Sequence, residues 1–281
     1  RDGFDTIMWM LKCKFLEAVT VVADSLGVSN QVSHDFSYLD KPRKQDKPKK
    51  VHRTCQRALQ AIAWGMQKND VLREKRDPDA VWMYNHADGT EAGSVARWNL
   101  EGGRKTFRQV TRVEAGWICG GMPSPRPLYN LLGVIDADEV WICEGEKATD
   151  AVNSLDLVAT SPSQGSKSPK LTDWKALDGK RVVILPDNDD DGEKFAVKVN
   201  ELLQRQAPTA TVQVKRLIHD WPDIPAKGDA HDWCQFNDAA DAETLRDRLN
   251  ALPDSGLFCS SSSRDDNEEP PERSYSRMDC N

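Results

Sequence analysis

The sequence predicts an α/β protein: a mostly parallel sheet flanked by helices, with a small antiparallel β subdomain and an N-terminal helical segment before it. Three observations indicate this class. Residues 128–252 alternate between short apolar runs of strand composition and segments with helical periodicity, which is typical of parallel sheets. Residues 81–113 contain strand patterns separated by tight turns, which is typical of antiparallel sheets. Residues 1–27 carry apolar residues at helical spacing.

The composition limits the classes of protein to consider. The chain has 281 residues and a formal net charge of −7, so any nucleic-acid surface must be a local basic patch on an acidic body. Its seven cysteines are dispersed, without zinc-site spacing, which suits reduced thiols in the cytosol. No signal peptide or membrane-spanning apolar run appears, so we expect a soluble cytoplasmic protein without membrane contact. Because the first residue is Arg1 and not methionine, we expect a fragment of a longer protein.

Residues 1–40 are predicted to form a helical segment, and residues 41–80 a basic linker followed by a helix. Seven lysines and arginines and two prolines between residues 41 and 53 predict an extended chain that repels itself. This linker is either solvated or a tether that contacts a phosphate backbone, because clustered cations gain free energy from counterion release. Helical periodicity then runs from Thr54 to Lys68.

Residues 81–126 are predicted to form the antiparallel subdomain. Two turns separate its strands, the first with an Asp88-Gly89 hairpin signal. The strand patterns cover residues 81–84, 94–98 and 105–113. Cations along the third strand are either a solvated face or a ledge that holds a nucleoside triphosphate or a template. These cations are Arg104, Lys105, Arg108 and Arg112.

Residues 127–252 are predicted to form the parallel domain. Its strands cover residues 140–143, 157–160, 182–185 and 212–217. Its helices cover residues 147–155, 192–205 and 239–252. Residues 253–281 are rich in serine and charge and poor in large apolar residues, so we expect a disordered tail.

Carboxylates follow two strands of the predicted parallel sheet. Glu144 comes directly after one strand, and Asp187 and Asp189 follow another. Because parallel strands deliver their carboxyl ends to one edge of a sheet, neighbouring strands would bring these three side chains within a few ångströms. Such carboxylates repel strongly unless a cation neutralises them, and oxygen ligands favour Mg²⁺ or Mn²⁺ over zinc. The sequence therefore predicts a magnesium site for phosphate chemistry.

The pattern Asp187-x-Asp189-x-Asp191 also allows other interpretations. A calcium loop needs a glutamate at its twelfth position, where Lys198 stands, and an amphipathic helix before it, where a strand is predicted. A phosphohydrolase with an aspartate nucleophile and a simple polar turn both remain open. A third acidic element, residues 227–233, follows the fourth strand and makes chance a poor explanation. His231 within it is interpreted as a solvated bystander.

The three strand ends together resemble the Toprim domain, which DnaG-type primases, type IA and type II topoisomerases, RecR proteins and OLD nucleases share. The resemblance rests on Glu-Gly-Glu-Lys at 144–147, Asp-Asn-Asp at 187–189 with Gly192, and Lys-Gly-Asp-x-x-Asp-Trp at 227–233. Residues 1–27 also resemble the end of a primase zinc-binding domain. Further matches favour primase-like proteins of phages and mobile elements. They are Tyr84 with Asp88-Gly89, Pro127-Leu128-Tyr129 and Thr172-Asp173-Trp174.

The resemblance implies roles for individual residues. Glu144 would bind metal or act as a general acid–base, and Asp187 and Asp189 would bind metal. Asp229 and Asp232 would be further metal ligands. Gly145 and Gly192 would allow the backbone to come close to the site. The residues implied to contact phosphate or template are Lys147, Lys167, Arg104, Lys105 and Arg108.

The implied activity is that of a DNA primase catalytic core, which makes short RNA primers from ribonucleoside triphosphates on single-stranded DNA with Mg²⁺ or Mn²⁺. A replicative helicase is the implied partner. The zinc ligands expected upstream of Arg1 and a nucleotide-binding Gly-x-x-x-x-Gly-Lys-Ser/Thr loop do not occur in the sequence. Two alternatives stay open: a metal-dependent nuclease of the same fold, and a non-catalytic nucleic-acid-binding accessory module.

Overall fold

Two sheets and the helices packed on them make up the part of the chain that the computed structural model describes, residues 49–163, 165 and 169–257. The predicted helical segment 1–40, the start of the linker, Lys167 and the tail beyond residue 257 lie outside the described residues. None of the helices among the described residues is both long and apolar enough to cross a membrane.

The first sheet is antiparallel and has five strands in the order β1-β5-β4-β3-β2. Its strands are β1 Val51–His52, β2 Ala80–Asn85, β3 Glu91–Asn99, β4 Lys105–Val113 and β5 Gly116–Cys119. The predicted hairpin is confirmed between β2 and β3, where Gly89 has a φ of 82° and Asp88 accepts a hydrogen bond from the backbone N–H of Thr90. The strand β1 corrects one expectation, because residues 51 and 52 of the predicted linker pair with β5.

One helix, α1 Cys55–Lys68, packs on this sheet. It begins where predicted, because the Thr54 hydroxyl accepts a hydrogen bond of 3.2 Å from the backbone N–H of Arg57 and caps the first turn. Its buried face carries Ala58, Leu59, Ala63 and Met66. These side chains form a core with Trp98, Val110 and Trp117 on the sheet.

The second sheet has four parallel strands in the order β7-β6-β8-β9. Its strands are β6 Glu139–Ile142, β7 Ala159–Thr160, β8 Arg181–Ile184 and β9 Thr211–Val214. The helices of this part are α2 Leu131–Asp136, α3 Glu146–Asn153, α4 Asp190–Gln206, α5 Ala230–Phe236 and α6 Ala242–Ala251. Together the two sheets confirm the mixed α/β class that the sequence predicts.

Both faces of the parallel sheet are covered, which explains why its strands are continuous apolar runs. On one face, Ile142 and Ile184 pack with Phe195 of α4 and with α2. On the other face, Trp141 and Val183 pack with α3, α5 and α6. The central pair of strands, β6 and β8, is therefore fixed in register by cores on both sides.

The structure also differs from the sequence-based expectations in the parallel domain and the tail. Helices α2 and α5 were not predicted. The fourth strand is shorter than predicted and ends at Val214. The first residues of the predicted tail are bound to the domain, because Ser255 donates its backbone N–H to Val214 and Arg216 donates to the carbonyl of Gly256.

Hydrogen bonds attach the antiparallel sheet to α3. Trp82 of β2 donates its indole N–H to Asp150 at 2.7 Å, and Tyr84 donates its hydroxyl to Glu146 at 2.8 Å. Around these bonds lie Val95, Met122 and Tyr129, which form an apolar cluster with the two aromatic side chains. The antiparallel sheet is thereby held beside the strand end that carries Glu144.

Candidate functional site

The carboxyl ends of the two central parallel strands lie side by side, as the sequence predicts. Ile142 of β6 pairs with Ile184 of β8. Glu144 follows β6 by two residues, and Asp187 follows β8 by three. The two side chains therefore leave neighbouring strands at the same edge of the sheet, where open α/β sheets bind their ligands.

The loop of Asp187 is joined to the loop of Asp229 by a pair of backbone hydrogen bonds. Asn188 donates its N–H to the carbonyl of Gly228 at 2.9 Å, and Lys227 donates its N–H to the carbonyl of Asn188 at 3.0 Å. This pairing brings the third acidic element of the sequence to the ends of β6 and β8. It is the reason why residues far apart in the chain meet at one site.

Three of the predicted metal ligands also begin helices. The Asp189 side chain accepts a hydrogen bond from the backbone N–H of Gly192 at 2.8 Å and caps α4. Asp229 and Asp232 form a reciprocal capping box at the start of α5, in which each carboxylate accepts from the other residue's backbone N–H. These bonds fix the orientation of the carboxylates before any ligand arrives.

The pKa of Asp187 is raised by its surroundings. Burial raises the pKa of Asp187 to about 8, with further upward contributions from Glu144, Asp229, Asp189 and Asp232. The four other predicted metal-binding carboxylates therefore all act on Asp187. A divalent cation would relieve this repulsion, so the donor set fits Mg²⁺ or Mn²⁺.

His231 belongs to the acidic site more closely than its interpretation as a bystander implied. Ligand atoms of Asp229, His231 and Asp232 all lie within 4.8 Å of one another, close enough to hold one ion. Burial first, and then the charge of Lys147, lower the pKa of His231, which favours the neutral ring that metals bind. The pattern Asp-x-His-Asp at the start of a helix could have predicted this cluster from the sequence.

Gly192 and Gly145 differ in what surrounds them. A Cβ on Gly192 would collide with the backbone carbonyl of Asp187, so the start of α4 packs directly on the acidic loop. A Cβ on Gly145 would meet nothing within 4 Å. Close backbone approach is therefore found at Gly192 and not at Gly145.

Carboxylates and cations line one cleft of about 930 Å³. Glu144, Asp187 and Asp229 are its carboxylates. Lys105 and Arg108 of the antiparallel sheet also line it. Lys147, in the first turn of α3, lies at the same cleft. The cleft therefore brings together most of the residues that the resemblance assigns to metal and to phosphate.

Two of the predicted phosphate-binding cations, Arg104 and Lys167, are not among the described residues that line this cleft. Arg104 lines a separate cavity of about 790 Å³ with Leu100 and Glu101. Lys167 lies outside the described residues. Arg112, the last cation of the strip, stacks its guanidinium 5.9 Å from the ring centre of Trp117.

Sequence reasoning missed several residues of the cleft. Arg97 of β3 and Gln109 of β4 both line it, as does Phe107, which lies between Lys105 and Arg108 in the chain. Arg97 and Phe107 lie directly opposite each other on paired strands. Alternation along β4 was the available signal, because residues 105, 107 and 109 share one face of a strand.

No protein-family model and no curated protein matches the chain. Solved structures similar to it are DnaG-type primase domains. The zinc-binding and RNA polymerase domains of Aquifex aeolicus primase match with 16% identity over 90% of this chain and 71% of that one, at a TM-score of 0.42. A DNA primase domain from Pseudomonas aeruginosa matches with 14% identity over 64% and 52%, at 0.43. The RNA polymerase domain of Mycobacterium tuberculosis primase matches with 16% identity over 62% and 55%, at 0.38.

The chain thus spans about half the length of the last two of these structures. The TM-scores lie below 0.5 and the identities below 20%, so we infer the function from the site itself.

Proposed function

We propose that the chain is the catalytic core of a Toprim-type DNA primase of phage or mobile-element kind, a nucleotidyltransferase that makes short RNA primers on single-stranded DNA. The observation that carries the proposal is the cleft itself. Carboxylates from neighbouring parallel strand ends line one space together with cations of the antiparallel sheet. Joining nucleotides needs both the carboxylates and the cations, because phosphates must be held and the charge that develops during transfer must be compensated.

The residues that would hold Mg²⁺ or Mn²⁺ are Glu144, Asp187, Asp189, Asp229 and Asp232. When bound, the ion would activate the attacking 3′-hydroxyl of a primer and neutralise the leaving pyrophosphate. Asp189 and Asp229 each spend one carboxylate oxygen on a helix cap, which leaves the second oxygen for the ion. The caps hold these carboxylates still, so little ordering is needed on binding.

The cations would hold the phosphates. Lys105 and Arg108 would contact the backbone of the template or the triphosphate of the incoming ribonucleotide. Arg108 is pre-oriented, because its guanidinium donates to the hydroxyl of Thr106 at 2.7 Å and to the carbonyl of Phe107 at 2.8 Å. Lys147 lines the same cleft. Lys167 and Arg104 stay predictions for the same role, as does a replicative helicase as partner.

A primer-synthesis assay tests the proposal. The protein is incubated with single-stranded DNA, labelled ribonucleoside triphosphates and Mg²⁺ or Mn²⁺, and the products are resolved on a denaturing gel. We expect short labelled oligomers, reduced more than about 100-fold in Asp187→Asn, because even the supports of metal ligands contribute 10- to 100-fold. Asp191→Asn is the matched control, since Asp191 is exposed and paired with Lys194 at 3.2 Å.

Three results would contradict or redirect the proposal. Absence of any labelled oligomer on all templates, with folded protein, counts against a primase. Degradation of the DNA without added nucleotides would favour a metal-dependent nuclease with the same acidic site. DNA binding that is unchanged in Glu144→Ala and Asp187→Ala, with no synthesis by the wild type, would favour a non-catalytic accessory module.

A further inference from the structure

Gln109 is a buried amide whose hydrogen-bonding groups are unused by the described part of the protein. The residue is only 6% exposed and lies on β4 at the cleft. Neither its Oε1 nor its Nε2 has a hydrogen-bond partner among the described residues. Buried side-chain amides are nearly always satisfied, so an unsatisfied one at a binding cleft calls for an explanation.

The surroundings of Gln109 hold its side chain in place. A Cβ on Gly121 would lie only 2.6 Å from its Oε1, so the glycine leaves just enough room for the amide. Val95 stands opposite Gln109 on β3 and belongs to the apolar cluster that docks the sheet on α3. The amide is therefore confined by neighbours with which it makes no hydrogen bond, in the wall of the cleft that it lines.

An aromatic side chain stands beside this amide. Phe107 is two residues earlier on the same strand, lines the same cleft and is 48% exposed. Directly opposite it on β3 is Arg97, whose Nε also has no hydrogen-bond partner among the described residues and whose guanidinium lies 5.6 Å from the ring centre of Trp82. An exposed ring, an unsatisfied amide and an unsatisfied guanidinium nitrogen thus share one wall.

This combination fits one class of ligand, a nucleobase. A base offers a flat π face for the ring and an edge on which a donor and an acceptor are adjacent, which is the pattern that an amide can pair with two hydrogen bonds. A phosphate could accept a hydrogen bond from Nε2 of Gln109, but it has no donor for Oε1 and would leave that atom unpaired. Base–aromatic stacking beside a cationic groove is also how single-stranded nucleic acids are commonly held.

We propose that Phe107 and Gln109 form a base-recognition subsite, in which the ring stacks on a nucleobase and the amide bonds to its edge. The inference rests on the proposed function and deepens it, because it names the contact through which the cleft distinguishes one base from another. The base comes either from the DNA strand or from the incoming ribonucleotide. Both present the same chemistry, and the experiment separates them.

The test is a binding measurement by fluorescence anisotropy with labelled 12-residue oligomers of dA, dC or dT and one abasic oligomer. We expect the wild type to prefer one base at least about fivefold, since a bidentate amide–base pair discriminates by roughly 5- to 150-fold. Gln109→Met keeps the length of the side chain and removes both polar groups. It is expected to reduce the preference to within about twofold while the affinity for the abasic oligomer stays the same.

Further variants sharpen this result. Phe107→Leu is expected to weaken binding to every base-bearing oligomer by about tenfold, and the abasic oligomer much less, because stacking tolerates any base. Gln109→Glu offers only acceptors, so the preference should move toward adenine or cytosine, which present an amino donor. Gln56→Leu on the exposed face of α1 is the control and should leave the profile unchanged. Competition with single ribonucleoside triphosphates shows whether the base belongs to the strand or to the incoming nucleotide.

The melting temperature of Gln109→Met is a second test. It should fall if the amide has a merely structural role, and it should rise if the amide is reserved for a ligand. Removing an unpaired buried amide is expected to raise the melting temperature of Gln109→Met. A lower melting temperature, a wild type without base preference, or a variant with an unaltered preference would each overturn the inference. These outcomes are independent of catalysis: a base preference without primer synthesis defeats only the proposed function, whereas synthesis without base preference defeats only the subsite.

Discussion

The hydroxyl of Tyr84 donates a hydrogen bond of 2.8 Å to the carboxylate of Glu146, and both side chains are buried. The bond crosses from the antiparallel sheet to the first residue of α3, two positions after Glu144. It therefore joins the antiparallel sheet to the helix that follows Glu144.

Removing this hydroxyl should be costly. Tyr84→Phe leaves the buried Glu146 without its side-chain donor, and we expect a loss of about 1 to 3 kcal/mol in the free energy of unfolding. Tyr129→Phe is the comparison, because that hydroxyl donates to Asp150 in an exposed position and its loss should cost less. Urea unfolding of the three proteins measures the difference. Equal losses of unfolding free energy in both variants would mean that the buried bond stabilises the fold no more than the exposed one.

The packing of α4 on the acidic loop predicts opposite outcomes for two glycines. Gly192→Ala would force a methyl group into the carbonyl of Asp187, so we expect a destabilisation of about 1 to 3 kcal/mol or more. Gly145→Ala meets open space and has an ordinary extended φ of −135°, so its cost should be small. Unfolding midpoints in urea compare the two variants. A tolerated Gly192→Ala would show that α4 does not press on this loop.

The ion pair between Arg216 and Glu193 lies outside the candidate site and tests how much a buried ion pair stabilises the fold. Arg216 donates two hydrogen bonds to Glu193 at 2.6 and 2.7 Å, and its side chain is only 9% exposed. Glu193→Gln is expected to lower the free energy of unfolding by about 1.5 to 3 kcal/mol, since bonds to charged groups have that weight. Asp191→Asn breaks an exposed pair and should change it by less than about 1 kcal/mol. Thermal unfolding in low and high salt separates the two, because only the exposed pair is screened by salt.

The raised pKa of Asp187 predicts how metal binding depends on pH. Its pKa of about 8 in the folded chain exceeds its ordinary value of 3.8, so the folded state holds a proton that the unfolded state releases. Without metal, this contribution to stability is present below pH 4 and is lost as the pH rises through 8. A cation competes with the same proton, so the affinity for Mg²⁺ should rise between pH 6 and 8 by up to about tenfold per unit.

Calorimetric titration of Mg²⁺ at pH 6.5 and 8.5 measures this dependence. Asp187→Asn carries no titrating group at that position, so its weaker affinity should vary less with pH. A wild-type affinity that is the same at both pH values would contradict the assignment of Asp187 as a ligand. Addition of a chelator should lower the melting temperature of the wild type more at pH 8.5 than at pH 6.5.

The sequence was informative where local pattern and topology agree. Apolar strand runs that end in carboxylates predicted Glu144 and Asp187 at neighbouring strand ends, because both faces of a parallel strand are buried. Helix α5 was missed, since seven residues show little periodicity and its Asp229–Asp232 capping box uses an aspartate where glutamate or glutamine is usual. The consecutive cations Arg104 and Lys105 line different cavities. Only the pairing of β4 decides which of them lines the cleft of the carboxylates. Burial of Gln109 depends on Gly121, a contact that no local pattern contains.

The backbone bonds between Asn188 and the Lys227–Gly228 turn have a consequence for how this site can diverge. They involve main-chain atoms, so replacing side chains in either loop leaves them intact. Inserting or deleting a single residue would shift one loop against the other and separate the acidic groups. We therefore expect related chains to vary freely in the chemistry of these loops and to keep their lengths fixed.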